Sequence, residues 1–166
     1  MAQSLVRIAV HAVFSTKERK NLIPQNELPD LWAYFGGVAR NTKIVLIIAG
    51  GMRDHVHLLF ELPAKADVAD VVGIFKSNSS RWMGERHRDF AWQAGYGAFS
   101  VSPSQIGTVK KYIANQAEHH KKRDFKEEFL IMLKKAGAAN PGLTPWAALL
   151  SALRACVPRF ARNDNR

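Results

Sequence analysis

The order in which two hydrophobic periods succeed one another along these 166 residues constrains the fold most tightly. Alternation at period two marks a half-buried strand, and recurrence at i, i+3 and i+4 marks an amphipathic helix. From Leu5 to Ser15, Val6, Ile8, Val10, Ala12 and Phe14 alternate with Arg7, Ala9, His11 and Val13, which reads as a strand. The polar stretch Thr16–Pro24 reads as a loop. From Glu27 to Asn41, Leu28, Leu31, Trp32 and Phe35 share one helical stripe, with a weak point at Gly36-Gly37. Lys43–Ala49 is a short β-branched run, Gly50–Asp54 a turn, and His55–Leu62 a further strand closed by Pro63. Ala66 to His87 has helical spacing through Val68, Val71, Val72, Phe75 and Trp82. Gln93–Ser102 reads as a last strand interrupted by Gly95 and Gly97. Pro103 opens a helix running to Lys122, with Ser104 as its N-cap, and a further amphipathic helix covers Phe125–Lys135.

The resulting order, β-α-β-β-α-β and then helix, defines an α+β chain. A split βαβ series of this kind folds as a ferredoxin-like antiparallel sheet with helices on one face, here with additional C-terminal helices. The strand His55–Leu62, third in sequence, then lies in the middle of the sheet. Residues 1–137 form the domain, and residues 138–166 form a turn-rich basic tail beginning near Asn140-Pro141-Gly142. A short helix around Leu149–Cys156 holds the only cysteine, Cys156, so neither an internal disulfide nor an all-cysteine zinc cage can form.

Charge narrows the partners. The chain has 24 Lys and Arg against 14 Asp and Glu, a formal +10, and residues 1–137 hold 20 basic against 13 acidic residues, or +7 of it. A basic surface attracts polyanions, and nucleic acid is the commonest one inside a cell. The longest apolar run, Ile44–Gly51, is far short of the roughly 18 residues needed to span a membrane. The N-terminal residues do not resemble a secretory signal, so a cytoplasmic location is expected.

Two local patterns carry chemistry. In His55-Val56-His57 the imidazoles at i and i+2 of a strand share one face, where they can converge on a divalent cation or simply bond to each other. Tyr112 and Gln116, spaced i, i+4, share one face of a helix beside the stripe Ile106, Val109, Ile113 and Ala117. Alone, Tyr112 reads first as an amphipathic tyrosine at the edge of a core. His119 and His120, followed by Lys121-Lys122-Arg123, suit a solvated basic helix end. His11 faces away from the apolar set of its strand, either supporting a site, contacting a base, or resting as a satisfied sheet histidine.

Together, Asp54-His55-Val56-His57-Leu58-Leu59 and the later Tyr112-x-x-x-Gln116 resemble the single-strand DNA transposases of bacterial insertion sequences, the single-tyrosine branch of the HUH nucleases. The stretches 76–82, 92–100 and 112–122 resemble that family too, so the likeness spans residues 5 to about 136 in the family's order. The resemblance implies a metal site of His55, His57 and Gln116, and two nitrogens with one amide oxygen suit Mg²⁺ or Mn²⁺. It implies Tyr112 as the nucleophile that becomes a 5′-phosphotyrosine while a 3′-hydroxyl is released. The implied substrate is single-stranded DNA with hairpin ends, cleaved and rejoined at the ends of a mobile element. Arg81, Lys110 and Lys111 are the expected phosphate contacts. The resemblance also implies a homodimer in which the helix of Tyr112 and Gln116 completes the partner's His55/His57 site. The cluster Gly95, Gly97, Pro103 and Gly107 before that helix is compatible with such an exchange.

Rival readings are a domesticated HUH nuclease acting on repeated palindromes and a non-catalytic ferredoxin-like nucleic-acid-binding module. The second would stack bases on strand aromatics, but Phe14 and Phe60 fall on expected core faces. Replication initiators and relaxases carry further domains that 166 residues do not hold.

Overall fold

The computed structural model describes residues 6–116, 118, 130–132 and 134. The chain divides into two compact units, Met1–Lys122 and Arg123–Arg166. In the second, residues 130–132 and 134 are helical, inside the expected Phe125–Lys135 helix. The rest of that helix, the boundary after Gly137, Cys156, His119 and His120 lie outside the described residues.

Among the described residues, the first unit contains four strands, β1 (Ala9–Ser15), β2 (Val45–Met52), β3 (His55–Glu61) and β4 (Gly97–Val101), with helices α1 (Leu28–Asn41), α2 (Val68–Gly84) and α3 (Ile106–Ala114). The strands form one antiparallel sheet in the order β2-β3-β1-β4. This is the expected ferredoxin-like arrangement, and β3 is central. Strand alternation then assigns the two faces. Val10, Ala12 and Phe14 of β1 and Val56, Leu58 and Phe60 of β3 join Leu31 and Phe35 of α1 and Val71, Val72 and Phe75 of α2 in one core. Phe35, Phe60 and Phe75 are fully buried there, each contributing about 1.5–3 kcal/mol relative to exposure. The opposite face, bearing Ala9, His11 and Val13 of β1 and His55, His57 and Leu59 of β3, receives α3.

Several boundaries differ from those read in the sequence, each for a physical reason. α1 runs unbroken through Gly36-Gly37, because its stripe of Leu28, Leu31 and Phe35 is anchored in the core. β1 begins at Ala9: Val6 and Ile8 are exposed, and the chain leaves the sheet after the bond from Leu62 N–H to Ile8 C=O. β4 begins only at Gly97, because Lys76 Nζ donates to the carbonyls of Gln93 and Gly95, both at 2.8 Å, and holds that stretch in a loop. Burial lowers the Lys76 pKa from its ordinary value. Ser104 does not cap α3. It lies in a 3₁₀ turn, Pro103–Gln105, and its hydroxyl meets that of Ser102.

The most consequential difference is at Gly50-Gly51, which belongs to β2 and not to a turn. The turn contracts to Arg53-Asp54, with Met52 paired to His55. A register shift between Leu46 and Ile48 leaves Ile47 as an extra residue in β2. Leu46 pairs with Phe60 on the core face, yet Ile48 pairs with Leu59 and Gly50 with His57 on the other. Without the bulge, residues 46, 48 and 50 would share the core face. The bulge therefore turns Gly50 toward the histidines. A Cβ there would stand 2.7 Å from the Ile113 carbonyl oxygen of α3, so only glycine lets the helix backbone approach this closely. Gly51 has φ +149°, and a Cβ on it would meet the His55 carbonyl at 2.3 Å.

Gly50→Ala is expected to destabilise the protein by about 1–3 kcal/mol, the usual cost of overpacking a tight contact. Denaturant unfolding checks it. An unchanged midpoint would mean that α3 is not seated on β2 in this way.

Candidate active site

The face of the sheet under α3 holds four buried polar side chains in a small area. His55 and His57 are 0% exposed, Gln116 2% and His11 5%. Strand register explains the grouping. His57 lies opposite Val13 and Gly50, so His11, two residues along β1, is its diagonal neighbour on the same face. Removal of four polar groups from water is unfavourable unless each is bonded. Each has a polar partner within hydrogen-bond distance here.

His55 Nδ1 lies 2.8 Å from Asp54 Oδ1, and its Nε2 lies 3.3 Å from Gln116 Oε1. Asp54 reaches Arg19 through its second oxygen at 3.2 Å. Burial works against the Asp54 charge, but the bond and attraction from His55, together with Arg19, outweigh it and hold the carboxyl below its ordinary value. Thr16 fastens the same corner: its N–H donates to the Asp54 carbonyl at 2.9 Å, and its hydroxyl lies 2.6 Å from the Lys20 carbonyl and 3.1 Å from that of Asp54. Glu18 and Arg19, at φ 56° and 54°, hold a left-handed backbone that non-glycine residues seldom adopt.

His57 Nδ1 lies 3.0 Å from His11 Nε2, and the two rings lie side by side, inclined by 27° with centroids 5.2 Å apart. The His57 ring meets His55 at 5.1 Å and Tyr112 at 5.7 Å, both edge-on. Tyr112 also meets His11 at 6.2 Å. It is half-buried on α3, whose regular part ends at Ala114, with Asn115 as its C-cap and Gln116 just beyond. The helix therefore ends between Tyr112 and Gln116, and both still reach the histidines of their own chain.

All four residues expected to form the site, His55, His57, Tyr112 and Gln116, thus come together. Of the expected phosphate contacts, Lys110 and Lys111 are exposed on α3 beside Tyr112. Arg81 is exposed on α2, which packs on the other face of the sheet, and it approaches Asn78. Arg19 and Asp54 carried no role in the sequence reading. Asp54 is flagged only by preceding His55, and Arg19 has no local signal.

The donor set suits a hard divalent cation. With Nδ1–H given to the Asp54 carboxylate, the His55 Nε2 lone pair and Gln116 Oε1 face each other as two acceptors, an arrangement that a shared cation relieves. Among the described residues no three His, Cys, Asp or Glu side chains gather as a ligand set, so the amide of Gln116 is needed beside the two imidazoles. Among the same residues no helix is long and apolar enough to cross a membrane.

Comparison with known proteins places this geometry in context. The transposases for insertion sequence element IS200 from Salmonella typhimurium and Salmonella typhi are each 26% identical over 120 residues, covering 67% of this chain and 78% of theirs. Among solved structures, a candidate transposase from Deinococcus radiodurans R1 superposes with TM-score 0.56 at 22% identity, over 70% of this chain and 98% of that one. A REP-associated tyrosine transposase bound to a REP hairpin superposes with TM-score 0.52 at 11% identity, over 74% of this chain and 72% of that one. A sequence profile of the family described as "Transposase IS200 like" matches residues 4–116, and this chain belongs to that family.

Proposed function

We propose that the chain is a tyrosine transposase that cuts and rejoins single-stranded DNA at the ends of a mobile element, with Tyr112 as nucleophile and a Mg²⁺ or Mn²⁺ ion held by His55, His57 and Gln116. The observation that carries this reading is the convergence of Gln116 and Tyr112 on the strand pair His55/His57, 3.3 Å from His55 Nε2 and 5.7 Å from the His57 ring respectively.

When bound, the ion neutralises phosphate charge and stabilises the leaving oxygen. The Tyr112 oxygen attacks phosphorus and loses its proton. The bond from phosphorus to the 3′ oxygen breaks, that oxygen gains a proton, and the 5′-phosphate stays on Tyr112. A 3′-hydroxyl from another strand reverses the exchange with bond energy conserved, so no nucleotide cofactor is consumed. The half-buried, edge-on setting of Tyr112 against two imidazoles fixes the direction of its side chain. Lys110 and Lys111, exposed on the same helix, are the proposed contacts for a backbone phosphate, and Arg81, on α2 across the sheet, is a further one. A hairpin-ended strand is the proposed substrate, supported by the hairpin in the REP-associated neighbour. The strand aromatics Phe14 and Phe60 are 2% and 0% exposed, which disfavours a base-stacking module.

With a labelled single-stranded end substrate and Mn²⁺, wild-type protein should form a covalent adduct that survives denaturation, and Tyr112→Phe should form none. His57→Ala and Gln116→Ala should lower cleavage at least about 100-fold while binding of the strand changes by only a few fold. An adduct on Tyr112→Phe would overturn the nucleophile assignment.

A homodimer with a partner-completed site belongs to the same proposal. The link Ser102–Gln105 between β4 and α3 is exposed, so α3 can be exchanged between protomers and make the same contacts on the partner's sheet. Mixing His57→Ala protomers with Tyr112→Phe protomers, each inactive alone, should restore cleavage. A dimeric mixture without activity would leave the within-chain pairing as the working arrangement.

A further inference from the structure

His11 is a buried titratable group that the proposed chemistry does not use. It contributes nothing to the apolar core, since it lies on the α3 face of β1, and it sits 46 residues before the histidine it touches. The sheet imposes the contact, because the pairing of Val13 with His57 makes His11 the diagonal neighbour of His57.

A hydrogen bond between two neutral imidazoles contains one hydrogen, and its position decides which nitrogens remain as lone pairs. If His11 Nε2–H donates, His57 carries its own hydrogen on Nε2 and has no lone pair for a ligand. If His57 Nδ1–H donates, Nε2 keeps its lone pair. At His55 the corresponding choice is already made, because the Asp54 carboxylate only accepts, so His55 Nδ1 carries the hydrogen and donates it. Both site histidines therefore have Nδ1 engaged by a neighbour behind the site.

We propose that His11 is a positioning residue for the site: it accepts from His57 Nδ1–H, and so holds His57 in the tautomer and ring orientation that present Nε2 to a divalent ion. The role toward the ion rests on the proposed metal site, whereas the tautomer is a property of the metal-free chain. The two rings are inclined by only 27°, so the bond lies close to both ring planes, the geometry in which it best fixes the orientation of the His57 ring. Partners of this kind commonly alter metal affinity by about 10–100-fold.

The test combines long-range ¹H–¹⁵N NMR of the metal-free protein with Mn²⁺ titration. Wild type should show His57 protonated on Nδ1. His11→Leu, close in volume and without an acceptor, should lose that single tautomer and bind Mn²⁺ about 10–100-fold more weakly. His11→Gln, whose Oε1 can take the place of Nε2, should recover most of both. A wild-type His57 protonated on Nε2 overturns the proposal, and so does His11→Leu with unchanged tautomer and affinity. If wild type binds no Mn²⁺, the metal reading fails, and the His57 tautomer alone then decides the role of His11.

Discussion

The contact between α3 and the middle of β2 governs what this chain can do. Ile113 rests on Gly50 so closely that no side chain fits between them, and that contact fixes the height of α3 above the sheet. Tyr112 and Gln116 flank Ile113 in sequence, so the same contact sets their distance from His55 and His57. Two local features make it possible. The extra residue at Ile47 turns Gly50 toward α3, and the missing Cβ lets the backbone come near. The price is a β2 that is weaker in side-chain packing than its neighbours, with residues 45–49 only partly buried or exposed.

The site combines buried polar groups with a sheet whose other face is wholly committed to the core. β3 is buried on both faces, so its histidines cannot turn to solvent for hydrogen bonds. Their partners have to be built in. Asp54, supported by Arg19 and Thr16, serves His55, while His11 serves His57. These groups come from the turn before β3, the loop after β1 and β1 itself, which places the histidines and their partners on or beside the sheet and Tyr112, the proposed nucleophile, on the helix. Histidines held on a sheet beside a tyrosine on a helix fit the proposed reaction, which has to hold one strand end and admit another.

Much of this was legible in the sequence. The alternating periods gave the strand order and the central position of the strand read as His55–Leu62; the i, i+2 and i, i+4 spacings paired His55 with His57 and Tyr112 with Gln116, and the resemblance to the transposase family joined the two pairs into one site. The bulge was not legible, because Leu46, Ile47 and Ile48 are all apolar and any parity suits them. Gly50-Gly51 looked like a turn because paired glycines usually make one, and Ile113, whose close approach Gly50 admits, lies more than sixty residues later. Arg19 reaches Asp54 across 35 positions through a left-handed backbone that no residue type there announces. Lys76 likewise shortens β4 by bonding to carbonyls, a contact without any pattern in sequence.

The central claim is that a divalent ion is held where β3 meets the end of α3. Diffraction from crystals grown with Mn²⁺, collected at wavelengths on either side of the manganese absorption edge, tests it directly. The account predicts one strong anomalous peak bonded to His55 Nε2, His57 Nε2 and Gln116 Oε1, with Asp54 and His11 still on the two Nδ1 atoms. A peak elsewhere, or none beside His55 and His57 at saturating Mn²⁺, would contradict it.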